Sequence, residues 1–166
     1  MGHRHDWWER LRATVIPKIG LITQLLEDVT GSYYYVRTET HNNQFVGRVP
    51  MCEDDFEKRL HEMGFERNPL SSLKTLGSTG ESEEGSWRLI DFDDEPNMQL
   101  HVILYDGEPI NNAQVDVTYV YAHWELRWDV DPWGHYRGKI YNPDEGVKRM
   151  KKLLDEHGVQ HEAIRP

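Results

Sequence analysis

The sequence predicts an α+β fold: an antiparallel, meander-like sheet of about five to seven strands, packed by an N-terminal amphipathic helix, a short middle helix and a C-terminal helix. Three observations predict it. Strand-like runs follow one another through the second half of the chain with no helix between them, which argues for antiparallel pairing over a doubly wound sheet. Helix-periodic segments stand at both ends. The chain has 166 residues, 37% of them hydrophobic, which suits one domain spanning 1–166 that buries a core without disulfides. No internal repeat or long linker divides it.

The first helix is read from Trp8, Leu11, Val15, Ile19, Ile22, Leu26 and Val29, whose steps of three and four put them on one face. Pro17 has no amide proton and its ring strikes the carbonyl of Ala13, so this helix kinks there. Gly31 supplies its stop. Tyr33–Thr40 and Gln44–Val49 are β-branched and aromatic, separated by His41-Asn42-Asn43, and predict a hairpin. Glu53, Asp54 and Asp55 suit the positive end of a helix that carries Phe56, Leu60 and Met63 inward and ends at Gly64. Phe65–Leu76 contains an edge strand limited by Pro69. The stretch around 77–85, rich in Gly, Ser and Glu, has no apolar anchor and reads as a mobile acidic loop.

Three strands then follow: Trp87–Phe92, Met98–Tyr105 and a long one over Gln114–Trp128, with a bulge expected near the middle of the last because it exceeds the usual length. Asp131-Pro132-Trp133-Gly134 turns the chain, and Tyr136–Tyr141 is expected to return beside the long strand. The last helix has Asn142 as N-cap, Pro143 at its first position, Glu145 at its third, Val147, Met150, Leu153 and Leu154 inward, and Gly158 as stop.

Twenty-nine Asp and Glu oppose nineteen Lys and Arg, a net charge of −10 that argues against broad nucleic-acid binding through phosphates. Residues 51–110 carry the whole surplus, and the two terminal thirds are close to neutral. An acidic, lysine-poor chain is the halophilic pattern, but acidity confined to one third fits a local acidic surface better. No uncharged run approaches a membrane span. A lone cysteine, Cys52, and a charged N-terminal stretch make the cytoplasm the expected compartment. Cys52 precedes an acidic helix, which opposes a reactive thiolate and suits an inert one.

The chemistry-bearing residues gather on two strands. Alternation puts Met98, Leu100, Val102 and Leu104 on one face of the first, and Thr118, Val120, Ala122, Trp124, Leu126 and Trp128 on one face of the second. The opposite face then carries His101, Tyr119, Tyr121, His123, Glu125 and Arg127. His101, His123 and Glu125 are the candidate acid–base groups, and Tyr119, Tyr121 and Arg127 the candidate ligand-binding ones. A hairpin closing symmetrically over Asp106–Ala113 sets His101 against Tyr119 and His123 against Asn97. The histidines then stand roughly 13 Å apart at about 3.4 Å per residue, too far to share an ion. The strands carry His-x-Ile and His-x-Glu, without the hydroxyl third residue of the two-histidine phosphoesterases, so no family is assigned.

No cofactor and no resident metal are expected. Asp91 and Asp93 offer hard oxygen ligands and His135 lies near Asp129 and Asp131, but the first group reads as a plain turn, and with nine histidines some fall beside acids by chance. Lys148, Arg149, Lys151 and Lys152 read as a solvated helix face, with a nucleic-acid accessory role as the minor alternative. The 77–85 stretch lacks a phosphate-binding ending, and no common catalytic motif is present. Surplus tryptophans suggest a self-associating surface. The expected function is therefore a non-enzymatic binding domain that forms a homo-oligomer, its ligand unidentified. The alternative is a small hydrolase or phosphoesterase using His101, His123 and Glu125 in a concave site.

Overall fold

The structure is a computed structural model describing residues 39–68, 74–76, 83–107 and 116–164. The expected N-terminal helix and the expected strand from Tyr33 up to residue 38 lie outside the described residues, as do 77–82 of the acidic loop.

In chain order the elements are β1 (Glu39–Thr40), β2 (Phe45–Val49), α1 (Glu53–Glu62), β3 (Glu66–Arg67), β4 (Thr75–Leu76), β5 (Gly85–Leu89), β6 (Met98–Gly107), β7 (Val117–Leu126), α2 (Pro132–Tyr136) and α3 (Pro143–Glu156). Five strands form one antiparallel sheet in the order β2-β7-β6-β5-β3, and β1 pairs with β4 in a separate parallel ribbon. The α+β class and the β5-β6-β7 meander agree with the sequence reading. The expected hairpin does not: His41-Asn42-Asn43 enters a 3-10 turn at Asn42–Gln44, and Glu39–Thr40 runs beside Thr75–Leu76 instead of returning along β2. β2 joins the far side of β7, with a bulge between Phe45 and Gly47. The bulge expected in the long strand is absent from 117–126, which pairs with β6 without interruption.

The register of β6 against β7 also corrects the expectation. His101 faces His123, Gln99 faces Glu125 and Tyr105 faces Tyr119. β6 runs on to Gly107, which pairs with Val117 in place of a closure over Asp106–Ala113, so every partner shifts by four. Four is even, and an even slip keeps each side chain on its face while changing its neighbour. The expected faces therefore stand and the expected separation of the histidines does not.

Helices α1 and α3 cover the apolar face. Val46, Val49, Phe56, Leu60, Leu100, Val102, Leu104, Val120, Ala122, Met150 and Leu154 are fully buried there as one cluster. α3 follows its sequence signature: Asn142 Oδ1 accepts from Glu145 N at 3.0 Å, Pro143 opens the helix, and Gly158 takes φ 66° at its end. Gly146 sets its distance from the sheet, because a Cβ there would stand 2.2 Å from His123 Cα. Arg149 is not solvated as expected. It bonds Glu145 and Glu95 and lies 3.9 Å over the Trp124 ring. The Tyr136–Tyr141 segment is not a strand either: it leaves α2 through Gly138 and Ile140, both at positive φ, and contacts the sheet at Asn142, which exchanges two backbone bonds with Trp124. Glu83 to Gly85, expected in the mobile loop, are built into the fold, with Glu83 buried and Gly85 starting β5. Among the described residues no helix is long and apolar enough to cross a membrane.

Candidate metal centre

The second face of the sheet is buried as thoroughly as the first, but its side chains are mixed. Phe45, Leu76, Ile103, Tyr105 and Tyr121 form a small apolar cluster. Beside it, Gln44, Gln99, His101, His123 and Glu125 are all at most 8% exposed. The pairing of β6 with β7 brings three of these to one point. His101 Nδ1 is 3.0 Å from His123 Nε2 and 3.0 Å from Glu125 Oε1, and His123 Nε2 is 3.2 Å from Glu125 Oε2.

These spacings, with one carboxylate oxygen turned to each ring, are close to those of a metal ligand set. A divalent transition ion binds imidazole nitrogen and carboxylate oxygen at about 2.0–2.1 Å, which separates tetrahedral donors by about 3.3 Å and octahedral ones by about 3.0 Å. Among the described residues this is the one group of three or more His, Cys, Asp and Glu with such convergence.

The surrounding bonds orient the donors inward. His123 Nδ1 lies 2.9 Å from Gln44 Oε1, a carbonyl that only accepts, so the ring carries its proton at Nδ1 and turns the Nε2 lone pair toward Glu125. His101 Nε2 meets Ser86 Oγ at 2.8 Å, leaving Nδ1 on the inner side. Gln99 Nε2 donates to Glu125 Oε1 at 2.8 Å and fixes the carboxylate, while its own Oε1 is buried without a partner. A ring nitrogen bonded outward and the other aimed at the ion is the usual outer arrangement of a histidine ligand. Tyr141 packs its ring 4.8 Å from that of His123.

Electrostatics leave the donors in the protonation states a metal needs. Burial, the Lys74 charge and His123 push His101 down to about 3. Burial likewise dominates in lowering His123 to about 4, against the opposing pull of Glu125. Burial raises the Glu125 carboxyl, but His123 and the imidazole bonds outweigh it and hold the group well below its ordinary range. At neutral pH the centre is two neutral imidazoles and one carboxylate, and a cation there requires only that the His101 proton, which faces His123 Nε2 and Glu125 from Nδ1, move to Nε2 beside Ser86 Oγ.

The other expected site residues are elsewhere. Tyr121 belongs to the apolar cluster with Phe45 and Tyr105, and Tyr119 packs at its margin. Arg127 bonds Asp129 and the Pro96 carbonyl. Asp91 and Asp93 are exposed in the turn before β6. His135, on α2, bonds the Leu126 carbonyl at 2.7 Å and lies 3.6 Å from Glu125 Oε2, so it borders the centre. Cys52 is half-buried at the N-cap of α1. The sequence reading missed Gln44, Ser86 and Gln99. Cross-strand chemistry could have pointed to Gln99, since the observed register sets polar against polar and the expected one set Gln99 against Tyr121.

A separate acidic group surrounds Gly85. Glu57 accepts from Trp87 Nε1 at 3.0 Å and pairs with Arg67, and Glu53 stands beside it on α1. Burial, then the Glu57 and Glu84 charges, raise Glu53 to about 8.

No protein-family model matches the chain, and no curated protein or solved structure does.

Proposed function

We propose that this protein is a binding domain whose ligand is one divalent transition-metal ion, held between β6 and β7 by His101, His123 and Glu125. The carrying observation is that His101 Nδ1 and His123 Nε2 stand 3.0 Å apart and both meet the Glu125 carboxylate, the first at Oε1 (3.0 Å) and the second at Oε2 (3.2 Å), with each donor oriented by an outer partner. Two imidazoles and one carboxylate suit zinc or ferrous iron over calcium or magnesium, which take oxygen ligands.

Burial favours binding over hydrolysis. His123 is 0%, His101 2% and Glu125 8% exposed, whereas a hydrolase working through the same residues needs substrate and water to reach them. Self-association is part of the reading and is supported by the exposed Val130, Trp133 and Ile140 on one connecting segment. A mass that stays monomeric in light scattering across dilution and salt removes that part.

Equilibrium dialysis of the chelator-treated protein against zinc, followed by metal analysis, tests the main claim. The expected result is one ion per chain, retained against exposed-site competitors, with binding weakened at least about 100-fold in His123→Ala. Binding that survives in His123→Ala and Glu125→Ala overturns it.

A further inference from the structure

The three donors are enclosed, so an ion needs a way in. Side-chain exposure rises stepwise along one line of donor atoms: His123 at 0%, Glu125 at 11% and His135 at 28%. His123 Nε2 is 3.2 Å from Glu125 Oε2, and the His135 ring approaches the same oxygen with Nδ1 at 3.6 Å, so that its Nε2 stands about one ring width from that contact. His135 is held in place from both sides. Its Nδ1 donates to the Leu126 carbonyl at the end of β7, and its helix is capped by Asp131, whose carboxylate accepts from Gly134 N at 2.8 Å. That bond uses the Nδ1 proton and leaves Nε2 with its lone pair, a borderline base suited to zinc-like ions.

The segment carrying His135 is built unlike an ordinary loop. Ile140 takes φ 62°, a conformation that a β-branched residue adopts only when its surroundings enforce it. What enforces it is next in the chain: Tyr141 packs on the His123 ring, and Asn142 is bonded twice to Trp124. The segment is thus fastened to the donor His123 and to its β7 neighbour Trp124.

Resting on the metal-binding reading above, we propose that His135 is the loading residue of the centre. It takes a hydrated divalent cation at the surface through Nε2 and passes it to Glu125, from which it settles between the two inner rings. His135 then sets the rate of metal entry and exit and leaves the final affinity to His101, His123 and Glu125.

The test compares wild type with His135→Asn by stopped-flow transfer of zinc from a chromophoric chelator, together with the equilibrium affinity. Asparagine's amide nitrogen replaces Nδ1 on the Leu126 carbonyl and keeps the fold, while removing Nε2. Uptake and release both slowed about ten-fold or more, with Kd within about two-fold, is the expected result. Unchanged rates overturn the proposal, and so does a large loss of affinity, which makes His135 a direct ligand. His157→Gln, at an exposed histidine, keeps wild-type rates; slowing there to the same extent also overturns it. If His135→Asn does not fold, His135→Ala, which also removes Nε2, takes its place with the same criteria. Wild type that takes up no zinc at all instead removes the metal-binding reading itself, before any comparison of rates.

Discussion

The two faces of the central sheet are equally buried and differently built. The helix-covered face is a conventional apolar core in which α1 and α3 lay Phe56, Leu60, Met150 and Leu154 over β6 and β7. The other face buries two histidines, a carboxylate and a glutamine in the same strands, one residue out of phase, with Gln44 brought over them from the 3-10 turn. Alternation alone separates them, since neighbouring residues of a strand point to opposite sides. The first face gains stability from area removed from water. The second must satisfy the polar groups it buries, and a bonded network around His101, His123 and Glu125 does so for these side chains, Gln99 Oε1 excepted.

The largest effect that would break this contrast belongs to the helix face. Gly146→Ala drives a methyl into the backbone of His123 and is expected to destabilise the protein by about 3 kcal/mol in denaturant unfolding. It is expected to do so equally with and without zinc, although it lies behind a proposed metal ligand, His123. A loss that zinc restores would mean that the two faces are not separable.

On the polar face the metal-free cost of Glu125→Ala is expected to be smaller, about 2 kcal/mol, because it strips the acceptor from Gln99 and His101. Its signature is the response to metal. Zinc at a hundred-fold excess over Kd raises wild-type unfolding free energy by about 3 kcal/mol, and in Glu125→Ala that increment vanishes. Equal increments in both proteins would place the bound ion elsewhere.

Acid and alkali act on different regions. His101 and His123 titrate far lower folded than unfolded, so the unfolded chain takes up more protons below about 6.5. Apo stability therefore falls as pH drops from there toward the folded values of about 4 and 3. Glu125, lowered, adds to the same acid limb from its ordinary carboxylate value downward. Glu53 has the opposite sign. Its folded value of about 8 lies above the unfolded one, so stability falls as pH rises from about 4.5 to 8. Glu53→Gln is expected to flatten the alkaline limb alone and His123→Ala the acid limb alone, read from urea midpoints across pH. The smallest effect concerns Lys74, whose charge bears on both rings. Lys74→Gln is expected to tighten zinc binding a few-fold, and weaker binding would contradict this.

The faces were legible in the sequence because periodicity is a local property. Leu100, Val102, Leu104 and their partners alternate with His101, Ile103 and Tyr105 whatever the turn does. The caps of α3 were legible for the same reason, since Asn142, Pro143 and Gly158 act on their own backbone. Register was not legible, because it depends on where the β6–β7 connection closes, and the expected closure over Asp106–Ala113, in place of the observed Gly107–Val117 pair, separated two histidines that are in contact. Topology was less legible still. Nothing near His41 announces that Thr40 runs beside Leu76, or that the 3-10 turn carries Gln44 onto His123. The expectation of a mobile stretch reaching Gly85 failed for a tertiary reason: β6 takes the backbone of Glu84, and helix α1 brings carboxylates against Gly85.

The register of β6 against β7 creates the proposed centre. Crystals of the zinc-loaded protein, measured on both sides of the zinc absorption edge, test it most directly. The expected result is one anomalous peak per chain, about 2.0–2.2 Å from His101 Nδ1, His123 Nε2 and a Glu125 carboxylate oxygen. A peak only at another group, such as Glu53 and Glu57, or a pairing that leaves the two histidines several residues apart, would contradict it.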